Sequence, residues 1–303
     1  MRIVSLLAGA TELMCAIGQG DALVGRSHEC DDPPWVARLP ALSGPTFEVT
    51  GPSGEIDRLV REKLQAGQPL YAIDGVRLRG LMPDLVITQI HCDVCAVGPA
   101  AVGDAHAWPG LENLRTVSMR GGSLAAILDD FLVVSVAAGC AAEGQTLVTR
   151  LRAEMEQWRA RTAELSHPTV VCLEWTEPPF PMGNWGPELV ELAGGDCLLG
   201  NRNAHSAAVP WQAVLDVDPE ILIVAPCGFG LERAVRDAGA LLERPGWAGL
   251  RAVRGGRVYV SDGNRYFNRS GPSAFETIAV LAEILHPDTF GPRHQGTVYR
   301  RWG

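Results

Sequence analysis

RIVSLLAGATELMCAIGQGDALVGRSHECDDP, residues 2–33, decides the fold. It passes from an apolar run through a small-residue loop into a helical stretch. It then crosses Gly18-x-Gly20 and enters a second apolar run. Residues 169–200, TVVCLEWTEPPFPMGNWGPELVELAGGDCLLG, follow the same order with a longer first loop. Farther along, MPDLVITQIHCDVC (82–95) is matched by DPEILIVAPCGFG (218–230). Continuous runs of Val, Ile and Leu bounded by turn residues read as strands covered on both faces. Alternating with helix-like segments, they build parallel α/β units. Two matching halves predict an α/β protein of two similar Rossmann-like lobes with mostly parallel sheets.

Working outward, the first lobe (residues 1–121) takes strands near 3–7, 22–27, 85–89 and 115–118. Its helices fall near 11–17 and 55–66, where Ile56, Leu59, Val60 and Leu64 recur at helical spacing. Residues 31–54 hold five prolines and three glycines and read as a surface loop. A helical connection covers residues 122–166. Ser123 caps LAAILDDFLVV, Gly139 interrupts, and a second helix runs from about Ala141 to Glu164. At 1.5 Å per residue that helix spans roughly 36 Å, a stiff bridge with few Gly or Ser. His167-Pro168 ends it. The second lobe (167–303) takes strands near 169–173, 221–225 and 257–260, with helices near 187–193, 231–242 and 273–285.

The chain has 303 residues, 47% hydrophobic and 20% charged, with 26 basic against 35 acidic residues for a net charge of −9. Nucleic-acid binders carry a basic face, so no nucleic-acid partner is expected. No apolar run approaches the roughly 20 residues that span a bilayer, so no membrane insertion is expected. Met1-Arg2 leads straight into the first strand without a basic, apolar and small-residue export pattern, which predicts a cytoplasmic protein, or a periplasmic one if a leader is missing. Eight cysteines are too few for a disulfide scaffold.

Ligands of open parallel sheets bind beyond the carboxyl ends of the strands. That rule selects Ala8-Gly9-Ala10-Thr11, with Thr11 capping the first helix, then Ser27 to Asp31, and Gln89 to Cys95. In the second lobe it selects Glu174 to Trp185, Pro226 to Phe229, and Ser261 to Asn268, and the expectation is a cleft between the lobes lined by these loops. Trp175, Phe180, Trp185, Phe229, Tyr266 and Phe267 lie on them, between Gly and Pro, and suit a large flat ligand. His28, Cys30, His91, Cys92 and Cys95 have side chains suited to a metal ion or to an axial metal position. A redox pair and small pocket-lining thiols are the other readings of Cys92-x-x-Cys95. Cys15, Cys140, Cys172 and Cys197 read as core, Glu12 as a cap or surface charge, and His106, His205, His286 and His294 as loop or surface residues. Esterase, phosphate-loop and metalloprotease motifs are all absent from the sequence.

The segments VSLLAGATELMCAIGQGDALVGRSHECDDP, EWTEPPFPMGNW, ELVELAGG and GNRYFNRSGP resemble cobalamin-binding proteins of the vitamin B12 ABC-importer family. The similarity runs through nearly the whole chain. The opening motif is shared by iron-siderophore and haem binders of the same helical-backbone fold, whereas the Glu-Trp, Pro-Pro-Phe, Asn-Trp and Tyr-Phe-Asn segments are more particular to cobalamin binders. The resemblance implies reversible binding of cobalamin or a related corrinoid as ligand, not as a catalytic cofactor, and an ABC-transporter permease as partner if the chain is exported. Trp175, Trp185, Tyr266 and Phe267 would pack on the macrocycle, with Phe180 and Phe229 as further ligand-binding candidates. Asn184, Asn264 and Asn268 would pair with its amides, Gln89 is a further ligand-binding candidate, and His28, His91 or Cys92 would approach cobalt. The His/Cys set and the missing export signal depart from a simple B12 carrier and suggest storage, delivery or sensing. Two alternatives stand beside this: a metal-ion or siderophore- or haem-like chelate held by the His/Cys set, and an enzyme with Glu29 or Glu174 as base and a cysteine nucleophile.

Overall fold

The computed structural model describes residues 1–90, 97–98, 102 and 109–302. Strands β1 (Ile3–Ser5), β2 (Leu23–Arg26), β3 (Ser43–Pro45), β4 (Tyr71–Ile73), β5 (Leu85–Gln89) and β6 (Arg115–Met119) lie in the first part of the chain. Helices α1 (Ala8–Ala16), α2 (Ser53–Gln65), α3 (Gly75–Leu81) and α4 (Leu124–Ala137) are interleaved with them. Helix α5 (Ala141–Thr162) follows at 22 residues. Then come β7 (Thr169–Trp175), β8 (Phe180–Pro181), β9 (Gly183–Asn184), α6 (Gly186–Leu192), β10 (Asp196–Cys197), β11 (Asn201–Arg202), α7 (Trp211–Val217) and β12 (Ile221–Val224). The chain closes with α8 (Leu231–Ala238), β13 (Val258–Ser261), α9 (Ser273–Leu285) and β14 (Tyr299–Arg301).

Two compact units result: Met1–Gly51 with Arg58–Leu151 and Ser270–Pro272, and Pro52–Asp57 with Arg152–Arg269 and Ser273–Gly303. The first holds a four-stranded parallel sheet in the order β2-β1-β5-β6. The second holds β10-β7-β12-β13-β14, parallel except for antiparallel β14. Strands β1, β5, β12 and β13 are buried at every position, as their unbroken apolar runs require when both faces are covered. Val4, Leu6, Leu42, Leu78, Val86, Val97, Val102, Leu111 and Leu114 form one core of the first unit.

The expected elements are present, with instructive differences. The stretch 31–54 holds a 3-10 turn at Pro34–Arg38 and strand β3, so its prolines shape a structured excursion. Short α3 and the closing β14 escaped the periodicity reading because few residues sample each period. Ser123 does cap its helix, accepting from the Ala126 N–H at 3.0 Å. Thr11 does not cap α1, whose N-cap position is held by Leu7. Thr11 Oγ1 lies inside, donating to Ser5 Oγ at 2.8 Å and to Cys30 Sγ at 3.0 Å. Glu12 is also buried, against expectation.

Candidate functional site

Parallel register places the exits of β7, β12 and β13 at one end of the second unit's sheet. The exits of β1, β2 and β5 share one end of the first unit's sheet. In that first unit Ser27 to Cys30 follow β2. Cys30 is fully buried, its Sγ engaged by Thr11 and lying 3.2 Å from Ser27 Oγ. That makes it a core thiol and not the presented ligand that sequence reasoning expected, because the Thr11 and Ser27 hydroxyls and the Ser5 carbonyl hold it inside. Half-buried His28 sets Nδ1 3.0 Å from Ser43 Oγ and stacks obliquely on Tyr71 at 5.4 Å. Burial lowers its pKa, and Arg26 adds to that shift. Gln89 is buried at the end of β5. His91, Cys92, Cys95 and His106 lie outside the described residues. Among the described residues no three His, Cys, Asp or Glu side chains gather as a metal site.

The second unit carries most of the aromatic residues singled out by sequence, and it divides them. Trp175 and Phe229, from the exits of β7 and β12, meet at 5.2 Å with planes 59° apart. The Arg233 guanidinium lies 3.6 Å from the Phe229 ring centre. Phe180 is half-buried, and its strand β8 folds back on β7. Trp185 and Phe267 have gone inward instead, corrections to their expected exposure. The physical reason is a hydrogen bond, Trp185 Nε1–H to the Phe267 carbonyl at 2.9 Å, made possible by left-handed backbone at Phe267 (φ 56°). Tyr266 is buried as well, its hydroxyl accepting from Arg265 at 3.0 Å.

The asparagines act mainly on backbone. Asn268 donates to the Ala225 and Gly263 carbonyls at 3.0 and 2.9 Å, tying the β12 exit to the β13 exit. Asn264 sits half-buried on a turn where Asp262 accepts its N–H at 2.8 Å. Asn184 pairs through its backbone with Ala204, at a left-handed position (φ 57°). Glu174, beside Trp175, is bound by the Ser206 hydroxyl and by the Gly183 N–H at 3.2 Å. Burial raises its carboxyl pKa. It clasps the segment 204–206 onto β9, where a Cβ on Gly183 would come within 2.3 Å of Ser206 N.

A deeper network fixes the Trp175 loop. Trp175 Nε1 donates to the Ser53 carbonyl at 3.2 Å, Ser53 Oγ lies 2.6 Å from Thr176 Oγ1, and Asp237 accepts from Ser53 N at 2.9 Å and from Thr176. Sequence reasoning missed this, since the partners are far apart in the chain. It also missed a groove of about 430 Å³ lined by Gly230, Leu231, Glu232, Arg233, Arg236, Asp262, Gly296, Thr297 and Arg300. The Arg233 and Arg236 pair at helical i, i+3 spacing was the one available signal.

Residues 3–264 match the family model described as periplasmic binding protein. The chain belongs to that family. A Bacillus subtilis relative, an uncharacterised ABC-transporter substrate-binding lipoprotein, is 22% identical over 95% of this chain and 81% of its own. Among solved structures, the periplasmic haem-binding protein RhuT of Roseiflexus sp. RS-1 superposes with TM-score 0.71 at 22% identity, covering 95% of this chain and 98% of that one. The periplasmic vitamin B12-binding protein BtuF of Vibrio cholerae gives TM-score 0.66 at 19% identity, over 94% and 96% of the two chains. The two-lobe α/β fold is thereby shown. Like its family, this chain binds a ligand without transforming it, so the enzyme alternative built on Glu29, Glu174 and a cysteine falls away. The relatives are named as periplasmic proteins or a lipoprotein, and the cytoplasmic expectation finds no support among them. Among the described residues no helix is long and apolar enough to cross a membrane.

Proposed function

We propose that this chain is the ligand-binding component of an ABC importer, working with a permease outside the cytoplasm, and that its ligand is a large planar macrocycle. A cobalamin-like corrinoid is the first reading. The observation that carries it is the Trp175–Phe229 pair at 5.2 Å on adjacent strand exits. Trp175 stays partly exposed and buried Phe229 backs it, so the indole offers apolar area with little rotamer entropy to lose, which suits a flat conjugated ligand. The Trp175 ring is held by its bond to Ser53 and arrives preorganised. Trp175 itself belongs to the Glu-Trp segment particular to cobalamin binders. Trp175 and Phe180 are the residues we assign to the macrocycle, with buried Phe229 behind Trp175 and Asn264 toward the ligand's polar edge.

Haem or another metal chelate is the second reading, because structural neighbours named for haem share the fold. Titrating the purified protein with cobalamin and, separately, with haemin distinguishes the two. Binding shifts the corrin bands in the first case and the Soret band in the second. Absence of a band shift and of calorimetric heat at tens of micromolar cobalamin removes the corrinoid. Absence with both removes the macrocycle.

A further inference from the structure

The arginine-lined groove beside Phe229 was no part of the sequence expectation. Its lining carries three guanidinium groups, Arg233, Arg236 and Arg300, against two carboxylates, Glu232 and Asp262. Both carboxylates have internal donors. Glu232 is bound through both oxygens by Arg300, and Asp262 Oδ1 accepts the backbone N–H groups of Asn264 and Arg265 at 2.8 and 3.0 Å. The lining is net positive on a chain whose overall charge is −9. Arg233 also stacks on Phe229, which in turn meets Trp175. Buried Phe229 is therefore in contact with both the Trp175 ring and the Arg233 guanidinium at the groove's wall. Asp262 directly follows β13 and Gly230 lies shortly after β12, so the groove opens at the carboxyl end of the sheet.

We propose that this groove holds an anionic substituent of the ligand, with its oxygens on Arg233 and Arg236 while the macrocycle lies against Trp175. This rests on the macrocycle reading and narrows it. Guanidinium forks match carboxylate and phosphate oxygens in bidentate geometry, and their charge strengthens each hydrogen bond. At about 430 Å³ the groove has room for a carboxylate- or phosphate-bearing substituent. Two sources offer the same chemistry: the edge carboxylates of a porphyrin, and the phosphodiester in the nucleotide loop of a complete corrinoid.

The test compares each anionic ligand with a counterpart lacking the anion: iron mesoporphyrin against its dimethyl ester, and cyanocobalamin against dicyanocobinamide. Affinities are measured for the native protein, for exposed-site variant Arg236→Gln, and for Arg233→Gln/Arg236→Gln, after thermal melts of all three without ligand. In one pair the anionic member binds roughly 10- to 100-fold tighter to the native protein. That ratio falls to within about twofold in the double variant, takes an intermediate value in Arg236→Gln, and shrinks as salt is raised. A ratio unchanged by either variant overturns the groove assignment while leaving macrocycle binding intact. If neither pair binds, the groove assignment and the proposed function fall together.

Discussion

At the scale of single residues, burial assigns roles that side-chain type alone does not. Trp185 has the composition of a binding residue and the position of a structural one. Its N–H satisfies the Phe267 carbonyl inside the second unit. Trp185→Phe removes that donor and strands the acceptor, so urea melts should show a loss of about 1–3 kcal/mol. His286 behaves similarly. It is buried with Nε2 3.1 Å from the Gly194 carbonyl, and burial lowers its pKa below the ordinary 6.5. The native state keeps this imidazole neutral while the unfolded chain takes up a proton near the ordinary value. Its contribution is thus complete above that value and is lost as pH falls through it toward the lowered one. Urea melts at about pH 7.5 and about pH 5.5 should show a larger acid-induced loss in the native protein than in His286→Gln. Equal losses would show that His286 does not couple folding to pH. Neither role was legible beforehand: Trp185 read as a ring for ligand and His286 as surface, because nothing in the local sequence reveals which carbonyl lies opposite.

At the scale of elements, periodicity performed well for long segments and poorly for short ones. Helices α4, α5 and α9 and strands β5, β7 and β12 are recognisable from apolar spacing, since each offers several repeats of its own period. Two-residue strands such as β9 and β11 exist only because each supplies the other's partner. Packing between elements also reverses local preference. Gly144 lies in the first turn of α5, where alanine normally favours a helix by about 1 kcal/mol. A Cβ there would stand 2.2 Å from Ser135 Oγ and 2.4 Å from Ser135 Cβ on α4. Gly144→Ala should therefore destabilise by about 1–3 kcal/mol. Ser135→Gly in the same chain should recover part of it, a favourable coupling measurable by a double-mutant cycle. Purely additive effects would show that α4 and α5 do not clash there. Gly9 makes the parallel case, since a Cβ would lie 2.7 Å from the Ser270 backbone. Gly9 belongs to the opening motif quoted above and Gly144 to the second helix expected from periodicity, yet neither pattern names the atoms that approach.

At the scale of the whole molecule, the function is reversible binding, and its thermodynamic signature is linkage. A ligand that binds only the folded chain stabilises it by RT ln(1 + [L]/Kd), about 2.7 kcal/mol at a hundredfold excess over Kd. The melting temperature should rise with cobalamin or haemin concentration along that logarithmic curve. A flat melting temperature across saturating concentrations would contradict binding to the native state. The acidic balance of the chain and the basic lining of one groove add an ionic-strength dependence confined to anionic ligands.

The sequence by itself determined the class of protein: two α/β halves, buried parallel strands, a long intervening helix, and strand-exit loops rich in rings. Those features follow from apolar periodicity and turn chemistry, which are local and survive without knowledge of partners. Only the tertiary structure decided which rings remain near the surface at Trp175 and Phe180 and which are buried at Trp185 and Phe267. It alone drew Cys30 into the core, joined Ser53 to Asp237 across 184 positions of chain, and brought Arg300 of β14 to the two arginines of α8 around one groove. Burial and hydrogen-bond pairing depend on residues distant in sequence, and no local pattern encodes who the partner will be.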